Sequence, residues 1–246
     1  MQPPPEALRI LHEDDEILAV AKPAGLHVFP SSRGERQSLW SQLKEARPGL
    51  DRVGDRSAPA FVHRLDRGTS GVLLAAKTDP VYQKLREAFD RSEVEKEYLA
   101  LVEGFLPEPV EVDIPIGSRY RRSAKVQVQL PGRKLRGIRP ARTVVEPQDT
   151  QDDLTLCRIR IYTGVRHQIR VHLSHLGHPV VGDRDYKASR EVRGLGERIF
   201  LHAWRVRFPH PLSSSPQEIE CPLPGELSHV LDELGLDLPA GLDGSG

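Results

Sequence analysis

Cysteine is nearly missing from this chain. Cys157 and Cys221 are the two present in 246 residues, which excludes a disulfide framework and points to a reducing compartment, the cytoplasm. No apolar run approaches the roughly 20 residues that a membrane helix needs, so a membrane partner is not expected. The first residues, Met1 to Glu6, lack the basic-then-apolar layout of a secretory signal. No internal repeat is visible. A charge excess is missing too: 35 Lys and Arg offset 35 Asp and Glu. Taken as a total, that balance argues against a nucleic-acid partner.

The distribution of charge says otherwise. Arg119, Arg121, Arg122, Lys125, Arg133, Lys134, Arg136, Arg139 and Arg142 lie within positions 118–142 with no acidic residue among them. The balancing acids sit elsewhere, as Glu13, Asp14, Asp15 and Glu16 near the start and Glu226, Asp232, Glu233 and Asp237 near the end. Phosphate binding responds to the local field rather than to the total. A solvated basic loop is the plain alternative.

Hydrophobic residues at 38% and charged residues at 28% predict a globular core, in one large domain or two small ones sharing a sheet. Residues 16–22 (EILAVAK) read as a short buried strand stopped by Pro23, Ala24 and Gly25. Residues 37–46 suit a helix with Leu39, Trp40 and Leu43 on one stripe, and 47–59 a loop. Two apolar runs, 60–62 and 72–76, are expected strands flanking a polar, glycine-bearing loop. Asp79 then reads as an N-cap with Pro80 at the first helical position, and Val81, Leu85, Ala88 and Phe89 keep helical period. Residues 97–103 alternate as a strand, with Tyr98, Ala100 and Val102 on one face and Leu99 and Leu101 on the other. The basic stretch joins further strands, 154–162 is another, and 200–208 a late one. Positions 164–176 fit a helix closed by Gly177, with Arg166 and Arg170 sharing a face. Many strands with few helices predict an α+β fold on a mixed, largely antiparallel sheet.

Two segments carry groups suited to chemistry. The loop His63-Arg64-Leu65-Asp66-Arg67-Gly68-Thr69-Ser70-Gly71 holds a carboxylate between arginines, placed as active sites commonly are. An Asp capping its own turn is the bland reading. A serine-hydrolase elbow fails, because Val72 rather than glycine follows Ser70 by two. The second segment runs from Thr163 to Leu173 and is rich in Arg and His. Its histidines, His167, His172, His175 and His178, are poorly spaced for a metal and have no Cys or carboxylate nearby, so no metal is expected. Tyr98 by itself reads as a packing residue.

HRLDRGTSG at 63–71, with KPAGL at 22–26, EKEYLALVEG at 95–104, ARTVVEP at 141–147, HQIRVHLSHLGHPVVGD at 167–183 and LHAWRVRFPHP at 201–211, resembles the RluA-type pseudouridine synthases. The pieces occur in that family's order over most of the chain. The resemblance implies a pseudouridine synthase fold with flanking helices and a central active-site cleft. It implies a bare catalytic domain over 6–225, followed at 226–246 by a helical piece and a flexible tail. By the same resemblance Asp66 is the catalytic aspartate, Tyr98 the active-site tyrosine, and Arg170 the basic partner of the aspartate. Arg64 helps displace the target base. Lys22, His63, Thr69, Arg166 and His167 fall among substrate-binding positions.

The implied reaction isomerises uridine in rRNA or tRNA. It breaks N1–C1′, turns the uracil and joins C5 to C1′, with no cofactor because every atom is retained. It calls for a nucleophile, a proton shuttle and a dry pocket. A guanidinium beside the carboxylate offsets the desolvation that would otherwise neutralise it. An N-glycoside hydrolase releasing uracil and a non-catalytic RNA-binding protein on the same fold are the competing readings. The expected partner is an RNA stem-loop and the expected state a monomer.

Overall fold

The computed structural model describes residues 8–30, 37–56, 58–121 and 123–238. Expectations for residues before 8, for Arg122 and for the tail from 239 lie outside the described residues. In chain order the first half comprises β1 (Arg9–Glu13), β2 (Ile17–Lys22), α1 (Leu39–Ala46), β3 (Gly54–Asp55), β4 (Ala58–Pro59), β5 (Ser70–Ala76), α2 (Asp79–Asp90), β6 (Glu95–Glu103) and β7 (Val110–Asp113). The second half adds β8 (Ile116–Ser118), β9 (Gln127–Val128), β10 (Arg136–Arg139), β11 (Arg142–Gln151), β12 (Leu154–Ile161), α3 (Gln168–Leu176), β13 (Leu201–Pro209), β14 (Pro216–Glu220) and α4 (Gly225–Leu234).

One nine-stranded sheet runs β1-β2-β5-β13-β6-β12-β11-β7, with β14 on β13. Its pairings are antiparallel except β13 with β5, so the fold is α+β on a mixed, mostly antiparallel sheet. Strands in the middle are covered on both faces. β5 is therefore buried throughout, and its run of apolar residues shows no alternation. In β6 the alternation separates two cores. Tyr98, Ala100 and Val102 join the larger one, while Leu101 packs with Leu154, Leu156, Phe200 and the Leu227, Val230 and Leu231 stripe of α4. The helix near the C-terminus thus closes the back of the sheet.

Helix α1 begins with a capping box: Ser38 Oγ accepts from the Ser41 amide and Ser41 Oγ from the Ser38 amide. Four local expectations are corrected. Thr78, not Asp79, is the N-cap of α2, because the Asp79 carboxylate accepts from the Gly54 amide at 2.7 Å. Residues 47–59 contain a 3₁₀ turn (Leu50–Arg52) and the β3–β4 hairpin rather than an open loop. Residues 60–62 form a single bridge, Phe61 to Ala75, since Ala60 sits at φ 59° and breaks the ladder. Helix α3 starts at Gln168 because His167 is left-handed at φ 55°. Arg166 therefore lies off the helix and shares no face with Arg170.

Around the described residues of the basic stretch, β8, β9 and β10 make a separate three-stranded sheet. It packs on α3 through Ile116, Val126, Val128, Ala141, Val171 and Tyr186. None of the helices among the described residues is long and apolar enough to cross a membrane.

Candidate active site

A cleft of about 610 Å³ opens between the 63–69 loop, β6, the end of β10 and the start of α3. Asp66, Tyr98, Arg170, His63, Arg64, Thr69, Arg166 and His167 all line it. Of the residues expected in the site, Lys22 is the exception. It is 1% exposed, and its ammonium donates to the carbonyls of Pro23, Leu26 and Arg67. Burial pushes it down to about 7, with Asp66 pulling the other way. Lys22 laces the KPAGL turn to the Asp66 loop from below, helped by Arg67 Nε donating to the Gly25 carbonyl at 2.9 Å. With its donors taken up by backbone, it has none left for a substrate.

The Asp66 loop is held in several ways. The Thr69 amide donates to the Asp66 carbonyl at 3.1 Å. Ser70 Oγ bonds His202 Nδ1 at 2.9 Å and accepts from Arg198. Gly71, at φ 128°, brings its Cα so near β13 that a Cβ would lie 2.2 Å from the Ala203 carbonyl; only glycine fits. His63 Nε2 accepts from the Leu74 amide at 3.0 Å and its ring stacks on Phe89. Burial lowers its pKa to about 3, with Lys96 and Arg86 adding to the effect, so it is a neutral wall of the cleft.

Around the Asp66 carboxylate stand two basic side chains. Arg170 Nη1 lies 3.5 Å from Oδ2, and His167 Nε2 lies 3.7 Å from Oδ1. Arg170 has a tighter partner that sequence reasoning did not identify. Its Nε and Nη2 donate to the two oxygens of Asp183 at 2.6 and 2.8 Å, a bidentate pair in which Asp183 is 1% exposed. Arg170 also sits over the Tyr186 ring at 5.0 Å. The carboxylates hold its pKa above the usual guanidinium range against the opposing effect of burial.

Tyr98 projects from β6 into the cleft, and burial, reinforced by the charge of Asp66, raises its phenol well above the ordinary range. It stays protonated and offers a flat apolar face with a polar tip. Lys96, two residues earlier and so on the same face, also lines the cleft. Its ammonium donates to the Tyr162 carbonyl, and burial lowers it to about 8. Period-two spacing from Tyr98 was the signal that would have found it. Asp183 closes the 167–183 segment of the resemblance but had no role assigned there, and Tyr186 carried no signal; both reach the site from a turn beyond α3.

Arg64 is exposed at the mouth of the cleft. Arg166, also exposed, donates to the Ser123 carbonyl at 2.6 Å and ties the basic insert to the rim, where Arg139 and Pro140 join it. The histidines considered for a metal are dispersed. His172 is bonded to Thr143 and the Ile114 carbonyl, and His178 to the Glu103 carbonyl.

A cleft walled by a tyrosine and a neutral histidine, with one carboxylate facing an arginine, suits a flat polar ring and attack by that carboxylate. The same fold is found in a human protein titled RNA Pseudouridylate Synthase Domain Containing 1, with a TM-score of 0.75 and 28% identity over 94% of this chain and 90% of that one. Residues 16–175 match the family model described as RNA pseudouridylate synthase, and the chain belongs to that family. It is 40% identical over 87% of its length to an uncharacterized RNA pseudouridine synthase of Chloroflexus aurantiacus. It is 34% identical over 99% of its length to the ribosomal large subunit pseudouridine synthase D of Neisseria meningitidis. The chain spans 65% of the length of each of these two relatives.

Proposed function

We propose that this protein isomerises uridine to pseudouridine in RNA, with Asp66 as the reacting carboxylate. The observation that carries the reading is the placement of Asp66 in a cleft against Arg170 and beside Tyr98, in a chain of this family. The Neisseria relative is named for the large ribosomal subunit, which puts rRNA first among the substrates to test, ahead of tRNA. The chain works as a monomer in the cytoplasm and without a cofactor.

The target nucleotide is flipped from its stack at a cost on the order of a few kcal/mol, and Arg64, exposed at the rim, fills the gap. Uracil lies on Tyr98. Asp66 either adds to C6 or assists departure of the base from C1′, with the Arg170 guanidinium 3.5 Å from its carboxylate. The N1–C1′ bond breaks, the base turns, C5 bonds C1′ and Asp66 is released; the C5 proton passes to water, with the Tyr98 phenol as a relay, and N1 takes a proton in return, so no atom is gained or lost. Thr69 and His63 shape the pocket, while Arg166, Arg139 and the insert hold the RNA backbone.

Asp66→Asn is nearly isosteric and abolishes turnover while RNA affinity stays close to wild type. The check is carbodiimide mapping of pseudouridine after single-turnover reaction on rRNA stem-loops, with filter binding alongside. Near wild-type product formation by the variant would sink the assignment. Release of free uracil would instead identify a glycoside hydrolase.

A further inference from the structure

Tyr186 is buried, lies on the turn after α3 and is not among the residues that line the cleft. Its hydroxyl has two partners. It accepts from the Val126 amide at 3.0 Å and lies 2.9 Å from His167 Nδ1. A phenol has one proton to donate and two acceptor positions. The Val126 amide can only donate, so it occupies an acceptor position. Among the described residues the remaining neighbour of the hydroxyl is His167 Nδ1. If that nitrogen carried a hydrogen, Tyr186 would accept twice and its own proton would point at neither protein partner. The satisfied arrangement has Tyr186 donating to a bare Nδ1. The imidazole proton then sits on Nε2, the nitrogen that faces Asp66 Oδ1 at 3.7 Å. The rings meet edge to face, 5.6 Å apart at 90°, which fixes the imidazole plane as well.

We infer that Tyr186 is a positioning residue that holds His167 as the Nε2–H tautomer, with its one ring proton aimed at the reacting carboxylate. The inference rests on the assignment of Asp66 made above. The 3.7 Å separation exceeds a hydrogen bond in the free protein, and catalytic contacts of this kind commonly tighten only once substrate is bound. His167 then steadies the charge of Asp66 as a neutral donor. Its own charging is opposed chiefly by burial and also by Arg170 and Arg166, against the pull of Asp66 and Asp183. The left-handed backbone of His167 is what turns the ring out of the helix and toward both partners. Because Val126 belongs to the segment leading into β9, the same hydroxyl joins the basic insert to the catalytic carboxylate.

The test reads the tautomer directly. In ¹⁵N-labelled protein without RNA at neutral pH, two-bond proton–nitrogen correlation separates a bare ring nitrogen from a protonated one. The His167 resonances are identified by their loss in His167→Gln. The expected result is a bare Nδ1 and a protonated Nε2. Tyr186→Phe keeps the ring contacts, removes the hydroxyl, and lets Nδ1–H appear. Its kcat on a stem-loop substrate falls at least about tenfold, below the ~10²–10⁴ that a positioned proton donor supplies, while KM holds, as for a group felt only in the reaction step. A protonated Nδ1 or a doubly protonated ring in the wild type would overturn the inference, as would Tyr186→Phe with unchanged tautomer and kcat. A wild type that forms no pseudouridine would overturn the function instead, and the tautomer would still be decided by the spectrum.

Discussion

Arg170 commits Nε and Nη2 to Asp183 and leaves Nη1 for Asp66. The arginine therefore does two separable things: it compensates a buried carboxylate and it lends charge to an accessible one. Removing it exposes the difference. In Arg170→Ala, Asp183 stays in a site where it is 1% exposed with its counter-charge gone, and breaking such a pair costs about 3–5 kcal/mol. Urea denaturation should show a midpoint lowered accordingly, together with lost activity. A midpoint within error of wild type would mean that Asp183 finds water or another donor once the arginine is gone. Lysine is no substitute, since a single ammonium cannot reproduce the two-point grip. This arrangement was half legible in the sequence. Arg170 was marked by the resemblance, but Asp183, 13 residues away, becomes its partner only because the chain reverses at Gly177 and Gly182.

Between residue and sheet stands the junction of β5 with β13, the one parallel pairing of the large sheet. It begins at Ser70 and Gly71, directly after the Asp66 loop, so sheet register and loop position are set together. Gly71→Ala forces a Cβ against the Ala203 carbonyl in a backbone region that side chains avoid. The strands must part or the loop must move. The expected loss exceeds about 1 kcal/mol, read as a lowered melting temperature with disproportionately reduced turnover. A variant that melts like wild type would show that β5 can shift at no cost to the loop. Strand periodicity was readable wherever both cores used it, as in β6, where Tyr98 and Leu101 point to opposite sides as their spacing predicts. Two of the misread boundaries share a cause. Ala60 and His167 are non-glycine residues at positive φ, a conformation held by tertiary bonds such as Tyr186 to His167, and local propensity carries no trace of it.

On the scale of the whole chain, a net charge of zero conceals a segregation. On the face of the sheet turned away from Tyr98, Glu97 meets Arg160 and Arg205, Glu146 meets Arg158, and Arg207 meets Glu95 and Glu218. These acids are matched across strands and contribute little field at a distance. The insert beside the cleft is matched in part, Lys125 with Asp185 and Arg142 with Glu111. Arg121, Lys134 and Arg136 are exposed and have no ion-pair partner among the described residues. RNA binding should therefore depend on salt as though the protein were basic. Replacing the three by Gln should weaken binding about uniformly across RNA sequences. It should also reduce the slope of log K against log salt by about 0.7–0.9 for each phosphate that is no longer neutralised. At saturating RNA the rate constant of the chemical step should stay near wild type, because none of the three touches Asp66. An unchanged slope would move the backbone contacts to another face, and a fall in the saturated rate would mean that the insert helps to set the cleft as well as to hold RNA.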